Sequence, residues 1–216
     1  MLEIINKHVA KISLALEEED SILRLSKKIN SSYGWTHKWI NRLEDIGVIK
    51  AEKGVKIIDK DFFEEFKSLS KSVLEKKIEL EDAYLLPNMT GMDYAFTKLD
   101  SVFLWTKGGY QIGRSKENYP IFIEVLRNEL KDWEEFFKDL SIDYSIEERQ
   151  GSGIYFVLFP KDKIGSEEKD NLQVIPLKET VRWAKKYGAN FQPALEMLDE
   201  MYDLDLNIEY KEKKVI

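Results

Sequence analysis

The sequence predicts a protein of the α+β class with mixed α/β organisation, and three observations predict it. Apolar residues recur at helical spacing through the first 80 residues. Later, strand-like apolar runs at 120–125 and 154–159 are separated by a helical pattern at 127–140. A composition of 43% hydrophobic and 12% aromatic residues favours packed cores over disorder.

A short helix, a polar turn and a second helix are predicted within residues 21–46. Ser21 suits an N-cap, and apolar residues follow it at helical spacing. Polar residues 30–32 interrupt that pattern, because their side chains compete for backbone hydrogen bonds. The second helix then has a predicted core face made of Thr36, Ile40 and Leu43. Gly47 is placed to end it.

A hairpin is predicted directly after these two helices. One strand begins at Val48, a turn follows at 52–54, and the chain returns over 55–58. Residues 2–16 form an amphipathic pattern that predicts a helix packed across the other two. Three helices followed by a hairpin are typical of a winged helix-turn-helix, which we expect to occupy residues 1–60.

The second helix of this motif carries side chains that suit the major groove of DNA. With its apolar face inside, five residues point away from the core or flank it: Trp35, His37, Lys38, Asn41 and Arg42. Arg and Lys reach guanine edges or phosphates, and Asn pairs with adenine. Ser31 and Ser32 are candidate phosphate donors at the helix start, and Lys53 and Lys56 are candidate contacts from the wing. Double-stranded DNA is therefore the predicted partner.

Charge is distributed unevenly along the chain. Residues 21–60 hold nine Lys or Arg against four Asp or Glu, a balance of +5 in a chain of −7. Residues 1–60 carry +2 and residues 61–216 carry −9, so DNA contact is expected in the N-terminal domain alone. A winged helix that docks a protein remains an alternative, with Trp35 or Trp39 serving simply as core.

Residue usage excludes several kinds of chemistry. The chain has no cysteine and only two histidines, His8 and His37, which excludes disulfides, thiolate catalysis and a histidine-rich metal centre. No apolar run approaches the length of a membrane span, and the N-terminus lacks the features of a signal peptide, so a cytoplasmic protein is expected. The acidic run 17–20 is expected to be a solvated turn.

Residues 61–87 are predicted to form a linker or dimerisation helix. A long helix is expected from Asp59 or Asp61 to Asp82, and residues 84–88 are expected to end it at a domain boundary. Its apolar positions approach heptad spacing: Phe62, Phe66, Leu69, Val73 and Leu80. A homodimer seam and a helix packed on its own chain remain equally open.

Residues 88–216 are predicted to form an α/β interaction or effector domain. Strands are expected to begin at 110–112 and to cover 120–125, 142–146, 154–159 and 172–175, with helices at 99–105, 127–140, 177–187 and 193–202. The aromatic residues Trp105, Tyr110 and Tyr119 are expected in the core more than in a pocket.

The same residues do not predict catalysis. Gly108 and Gly109 are followed by no Asp-x-Asp pair and no Gly-Lys-Ser/Thr ending, so neither a two-metal site nor a phosphate-binding loop is indicated. Asp199, Asp203 and Asp205 lie close in sequence without a histidine. We therefore predict no catalytic residues, no metal and no cofactor. A degenerate nucleotidyltransferase remains the third alternative.

Two segments carry a family resemblance. The segment YAFTKLDSVFLW at 94–105 resembles the opening of the C-terminal domain of AbiEi-type abortive-infection antitoxins and related archaeal regulators. The segment NLQVIPLKETVRWAKKYGANFQPALEMLDEMY at 171–202 is similar to the strand and helix pair that close that domain. The resemblance implies a regulator of its own operon whose C-terminal domain contacts a partner protein or effector. Such antitoxins are paired with a nucleotidyltransferase-like toxin.

Overall fold

The computed structural model describes residues 2–208 and confirms the α+β class. The chain divides into two compact units. The first contains the chain up to Met92 together with Glu135–Ile142, and the second contains Asp93–Glu134 and the chain from Asp143 onward. No helix within residues 2–208 combines the length and the apolar character needed to cross a membrane.

The first unit begins with three helices and a hairpin, in the order that the sequence predicts. Their bounds are α1 (Lys7–Ala15), α2 (Ile22–Lys28), α3 (Tyr33–Asp45), β1 (Ile49–Ala51) and β2 (Val55–Ile57). The single helix expected at 2–16 is wrong, because a 3-10 helix at Leu2–Ile4 precedes α1. Asn6 separates the two elements, since its side chain caps α1 by accepting from the backbone N–H groups of His8 and Val9.

Local signals define both ends of α3. The hydroxyl of Ser32 accepts from the backbone N–H of Trp35, which caps the first turn. Gly47 adopts a left-handed φ of +79°, and its N–H donates to the carbonyl of Glu44 at 2.8 Å. A residue with a Cβ would be strained in that conformation, so glycine ends the helix here.

The acidic run 17–20 is more than the solvated turn expected from the sequence. Glu17, Glu18 and Glu19 are exposed, but Asp20 is only 2% exposed. The ammonium of Lys28, itself buried, lies 2.9 Å from the Asp20 carboxylate. The backbone of Asp20 also bridges to Val55, which adds a short third edge to the β1–β2 hairpin. A buried ion pair therefore anchors the wing to α2.

The long helix predicted from Asp59 or Asp61 to Asp82 is two helices. Asp59 caps α4 (Lys60–Lys76), Lys77 is extended with a φ of −165°, and α5 (Leu80–Met89) follows. The predicted end at 84–88 is also wrong, because α5 continues through Pro87. Most of α5 is buried, and this burial outweighs the tendency of proline to end a helix.

The second unit contains a six-stranded mixed sheet in the order β5-β6-β4-β3-β8-β7. Its strands are β3 (Tyr94–Phe96), β4 (Asn118–Leu126), β5 (Tyr144–Ile146), β6 (Gly153–Lys161), β7 (Glu167–Lys169) and β8 (Leu172–Val174). The chain from 93 onward also forms the helices α6 (Lys98–Trp105), α7 (Leu130–Asp139), α8 (Leu177–Lys186) and α9 (Gln192–Tyr202) and the 3-10 helices Arg127–Glu129 and Gly188–Asn190. Residues of α7 from Glu135 onward belong to the first unit.

Strands β4 and β6 form the centre of this sheet. They pair in parallel over nine residues, from Asn118 opposite Gly153 to Leu126 opposite Lys161. Their near-continuous apolar runs explain why the sequence predicts both of them. The strand expected to begin at Tyr110 is wrong, because the N–H of Tyr110 donates to the Thr106 hydroxyl and holds this segment in a loop.

Candidate nucleic-acid interface

Helix α3 separates its residues into a buried face and an exposed face. Thr36, Trp39, Ile40 and Leu43 are buried. Trp39 therefore belongs to the core, as the alternative interpretation of this residue proposed, whereas the Trp35 side chain is 46% exposed. The predicted contact residues His37, Lys38 and Asn41 are exposed on the same helix.

Aromatic rings cover one flank of α3. His8 of α1 stacks on Trp35 with ring centroids 5.2 Å apart, and Trp35 stacks on Trp39 at 6.3 Å. The Lys38 ammonium lies 4.7 Å from the Trp35 ring centroid, and the Arg42 guanidinium lies 4.7 Å from that of Trp39. Each cation is thus held over an aromatic face, an arrangement that restricts its rotamers.

Burial in this aromatic stack affects His8. Its pKa is lowered from the ordinary value of 6.5, first by burial and then by the charges of Lys7 and Lys11. The neutral imidazole is therefore the form that the stack favours.

A polar stripe runs along the exposed side of α3. The side-chain nitrogen Nδ2 of Asn41 lies 3.3 Å from Nδ1 of His37, and the ring of Tyr33 lies 5.8 Å from that of His37. These three residues are spaced by four, so they form one row on the helix surface. Tyr33, which is 52% exposed, is absent from the predicted set, although its spacing from His37 and Asn41 predicts this position.

Among the predicted contact residues of α3, Arg42 is the least accessible to solvent. Its Nη1 atom lies 3.0 Å from a carboxylate oxygen of Glu3, and its side chain is 35% exposed. Glu3 lies outside the helix and is itself 76% exposed. The ion pair is therefore solvated on one side and holds the guanidinium away from a potential ligand.

The two serines lie at the start of α3 and have different environments. Ser32 is exposed, and its hydroxyl accepts from the N–H of Trp35 at 3.3 Å as the N-cap. Ser31 is half-buried, and its N–H donates to the carbonyl of Ser26 at 2.9 Å. Ser32 is therefore the better placed of the two to meet a phosphate.

The wing presents lysines with different surroundings. Lys53 is exposed in the turn between β1 and β2, whereas the Lys56 ammonium lies 3.6 Å from a Glu19 carboxylate oxygen. Gly54 packs directly on the backbone of Glu19, because a Cβ built there would lie 2.7 Å from the Glu19 carbonyl oxygen. The turn that carries Lys53 is therefore fixed against the acidic run.

Carboxylates offset much of the positive charge counted in residues 21–60. Six of the nine cations lie within 4.0 Å of a carboxylate: Arg24, Lys28, Arg42, Lys50, Lys56 and Lys60. When the four acids of 17–20 are included, the net charge of the segment falls from +5 to +1. Within residues 2–208, Lys38 and Lys53 have no carboxylate inside that distance. These two cations remain available to an outside anion.

No family model, no curated protein and no solved structure matches this chain. The resemblance of 94–105 and 171–202 to AbiEi-type antitoxins therefore remains a prediction from the sequence.

The described carboxylates of the second unit show no clustering of the kind that holds a metal. Within residues 2–208, no three His, Asp or Glu side chains converge to bind an ion. The carboxylate of Asp199 instead accepts from the N–H of Leu206 at 3.0 Å. Asp203 and Asp205 have left-handed backbone conformations after α9, with φ values of 50° and 51°.

Proposed function

We propose that this protein is a sequence-specific, DNA-binding transcriptional regulator that acts in the cytoplasm. The observation that carries the proposal is the exposed row of Tyr33, His37 and Asn41 beside Lys38, on the helix that precedes a hairpin. A helix of this kind lies in the major groove in winged-helix complexes, and its neighbouring hairpin contacts the flanking backbone.

Individual residues have distinct roles in this proposal. Asn41 and Lys38 contact base edges, which supplies sequence discrimination. Contacts with phosphates fix the register of the helix on the duplex, and they come from Ser31, Ser32, Lys53 and Lys56. Arg42 joins them when it exchanges Glu3 for a phosphate, and Trp35 packs against a sugar.

The proposed regulator is a homodimer that controls its own operon. Leu69 and Val73 of α4 are 55% and 58% exposed, and both fall on the heptad-like positions of that helix. They line an apolar cleft of about 460 Å³ between α1, α4 and α5. A second copy of α4 would remove these side chains from water and match a two-fold operator.

A partner-binding protein of the antitoxin type is the second candidate. It is favoured by the ion pairs that offset six of the nine cations in residues 21–60, because a phosphate-binding surface normally keeps its cations exposed. In this alternative, the α/β domain from residue 88 onward holds a toxin-like protein. Co-purification from the native cell tests it.

Fluorescence anisotropy of the full chain with a labelled duplex tests DNA binding. The duplex is taken from the region upstream of the protein's own gene, and a shuffled duplex of the same composition is the control. The proposal predicts tighter binding to the natural duplex and a loss of affinity with rising salt, because bound lysines release counterions. Equal affinity for both duplexes would reject sequence-specific recognition.

A further inference from the structure

The second unit contains a cleft of about 370 Å³ that the proposed function does not use. Its residues come from β4, β6, α6, α8 and the loops at 112–113, 147–149 and 187–191. A volume of this size suits a small organic molecule. The cleft is not lined by Trp105, Tyr110 or Tyr119. Trp105 and Tyr119 are buried instead.

Two cations face the same aromatic ring in this cleft. The Lys98 ammonium lies 3.3 Å from the ring centroid of Phe159 and 5.8 Å from that of Phe122. The Arg149 guanidinium lies 4.9 Å from the Phe122 centroid. Among residues 2–208, neither cation has a carboxylate within 4.0 Å. The cleft therefore holds two positive charges over an apolar floor, with no ion-pair partner in the described part of the chain.

Lys98 is held under strain at this position. Its backbone φ is +54°, a left-handed conformation that is unusual for a residue with a long side chain. Burial lowers the pKa of its ammonium, and the charges of Lys161 and Arg149 lower it further against the opposing effects of Glu124 and Glu147. Strained and charged groups that a fold maintains are concentrated at ligand sites.

Phe122 is positioned by a buried network beneath the cleft. Its backbone N–H donates to the carboxylate of Asp100 at 2.7 Å, and the same carboxylate oxygen lies 2.7 Å from Nη2 of Arg114. The side chains of Asp100 and Arg114 are 0% and 1% exposed. The aromatic floor is thus fixed before any ligand binds, which reduces the entropy lost on binding.

Three further aromatic residues, Trp183, Tyr187 and Phe191, also line the cleft. The ring of Trp183 lies 4.8 Å from that of Tyr187 and 5.0 Å from that of Phe191, with the second pair edge to face. Tyr187 is 55% exposed. Flat aromatic surfaces that remain partly exposed beside cations are suited to a planar ring that carries a negative charge.

We propose that this cleft binds a small molecule that combines an aromatic ring with one anionic group, a phosphate or a carboxylate. The ring packs against Trp183 and Tyr187, and the anion lies between Lys98 and Arg149. Glu147 is the one acid among the lining residues, so the charge of the cleft favours an anion. This inference is independent of DNA binding and holds whether or not α3 enters a groove.

Isothermal titration calorimetry of the full chain tests the proposal with two aromatic anions. Adenosine monophosphate represents an aromatic phosphate, and indole-3-acetate represents an aromatic carboxylate. We expect at least one to bind with a dissociation constant below about 1 mM. Adenosine and inorganic phosphate are the fragment controls, and each should bind at least about tenfold more weakly than the intact anion.

Two charge-removing variants and one matched control complete the test. Arg149→Gln and Lys98→Asn should each lower the affinity for the anion by about 10- to 100-fold, since each removes a charge-assisted contact. Asparagine is chosen because it tolerates the left-handed backbone at residue 98. Arg182→Gln removes a charge from the exposed side of α8 and should leave binding unchanged, and thermal unfolding of each variant verifies the fold.

Three results would overturn the proposal. The first is that neither anion binds the wild-type protein. The second is that a folded Arg149→Gln variant binds as tightly as wild type. The third is that inorganic phosphate alone binds as tightly as the nucleotide, which would leave no role for the ring. Binding of only one of the two anions supports the proposal and identifies the anionic group.

Discussion

Arg42 and Glu3 form an ion pair in which Nη1 and Oε2 are 3.0 Å apart, and this pair holds a predicted DNA contact against its own chain. Solvated pairs of this kind contribute little to stability, so an incoming phosphate can replace Glu3. We predict that Glu3→Gln raises the affinity for duplex DNA by up to about fivefold. Anisotropy titration at constant salt measures the change.

Glu64→Gln is the matched control for this substitution. It removes the same charge from the first unit, but Glu64 pairs with Lys67 on α4. If the affinity for duplex DNA rises equally in both variants, only the net charge of the protein matters and Arg42 is not released to DNA.

His8 links the aromatic stack to pH. Because its folded-state pKa lies below the unfolded value, the unfolded chain binds more protons as the pH falls. The stability associated with neutral His8 is therefore complete above pH 6.5 and is lost as the pH falls through the folded pKa. We predict that the melting temperature of His8→Gln falls less than that of wild type on acidification from about pH 7.5 to about pH 5.5. Equal decreases in the melting temperatures of the two proteins would contradict a contribution of neutral His8 to stability.

Arg114 and Asp100 make a buried ion pair whose loss should be costly. Arg114→Met leaves a carboxylate that is 0% exposed without its cation, which should lower the free energy of unfolding by about 3–5 kcal/mol. The double variant Arg114→Met/Asp100→Leu removes both charges and should recover part of that loss. Urea unfolding measures all three proteins, and a single variant within about 1 kcal/mol of wild type would refute the prediction.

Val73 provides the test of self-association. Val73→Lys places a charge on the exposed apolar row of α4 and should convert a dimer to a monomer, because burying an unpaired charge is unfavourable. Ser72→Lys adds the same charge at the neighbouring exposed position and should retain the dimer. Sedimentation equilibrium measures the oligomeric state of both variants. A monomeric wild-type protein would exclude the dimer outright.

The elements predicted best are those whose signals are local. The cap at Ser21 and the stop at Gly47 are properties of adjacent residues, so the sequence predicts α2 and the end of α3 closely. The sequence does not indicate strand β7, because Glu167–Lys169 is entirely charged and shows no apolar alternation. The sequence does not indicate the break at Lys77 either, because apolar spacing continues across it.

Contacts between distant residues could not be predicted from one sequence. The charge balance of residues 21–60 includes Lys28, but a carboxylate eight residues earlier neutralises it in the core. The sequence predicts that Arg42 faces DNA, although Glu3, which is 39 residues earlier in the chain, holds it. The cleft around Lys98 and Arg149 is built from six separate stretches of the chain, and no motif connects them. The folded path of the chain brings these residues together, so residue type alone does not predict the contacts.

Titration of the natural upstream duplex with the Lys38→Ala/Asn41→Ala variant tests the central claim most directly. Asn128→Ala/Lys131→Ala removes the same two residue types from exposed positions of the second unit and is the control. We predict that the first variant loses about 1–3 kcal/mol of binding free energy per base contact and that the control binds as wild type does. Wild-type affinity in the folded Lys38→Ala/Asn41→Ala protein would contradict the assignment of α3 as the DNA-reading helix.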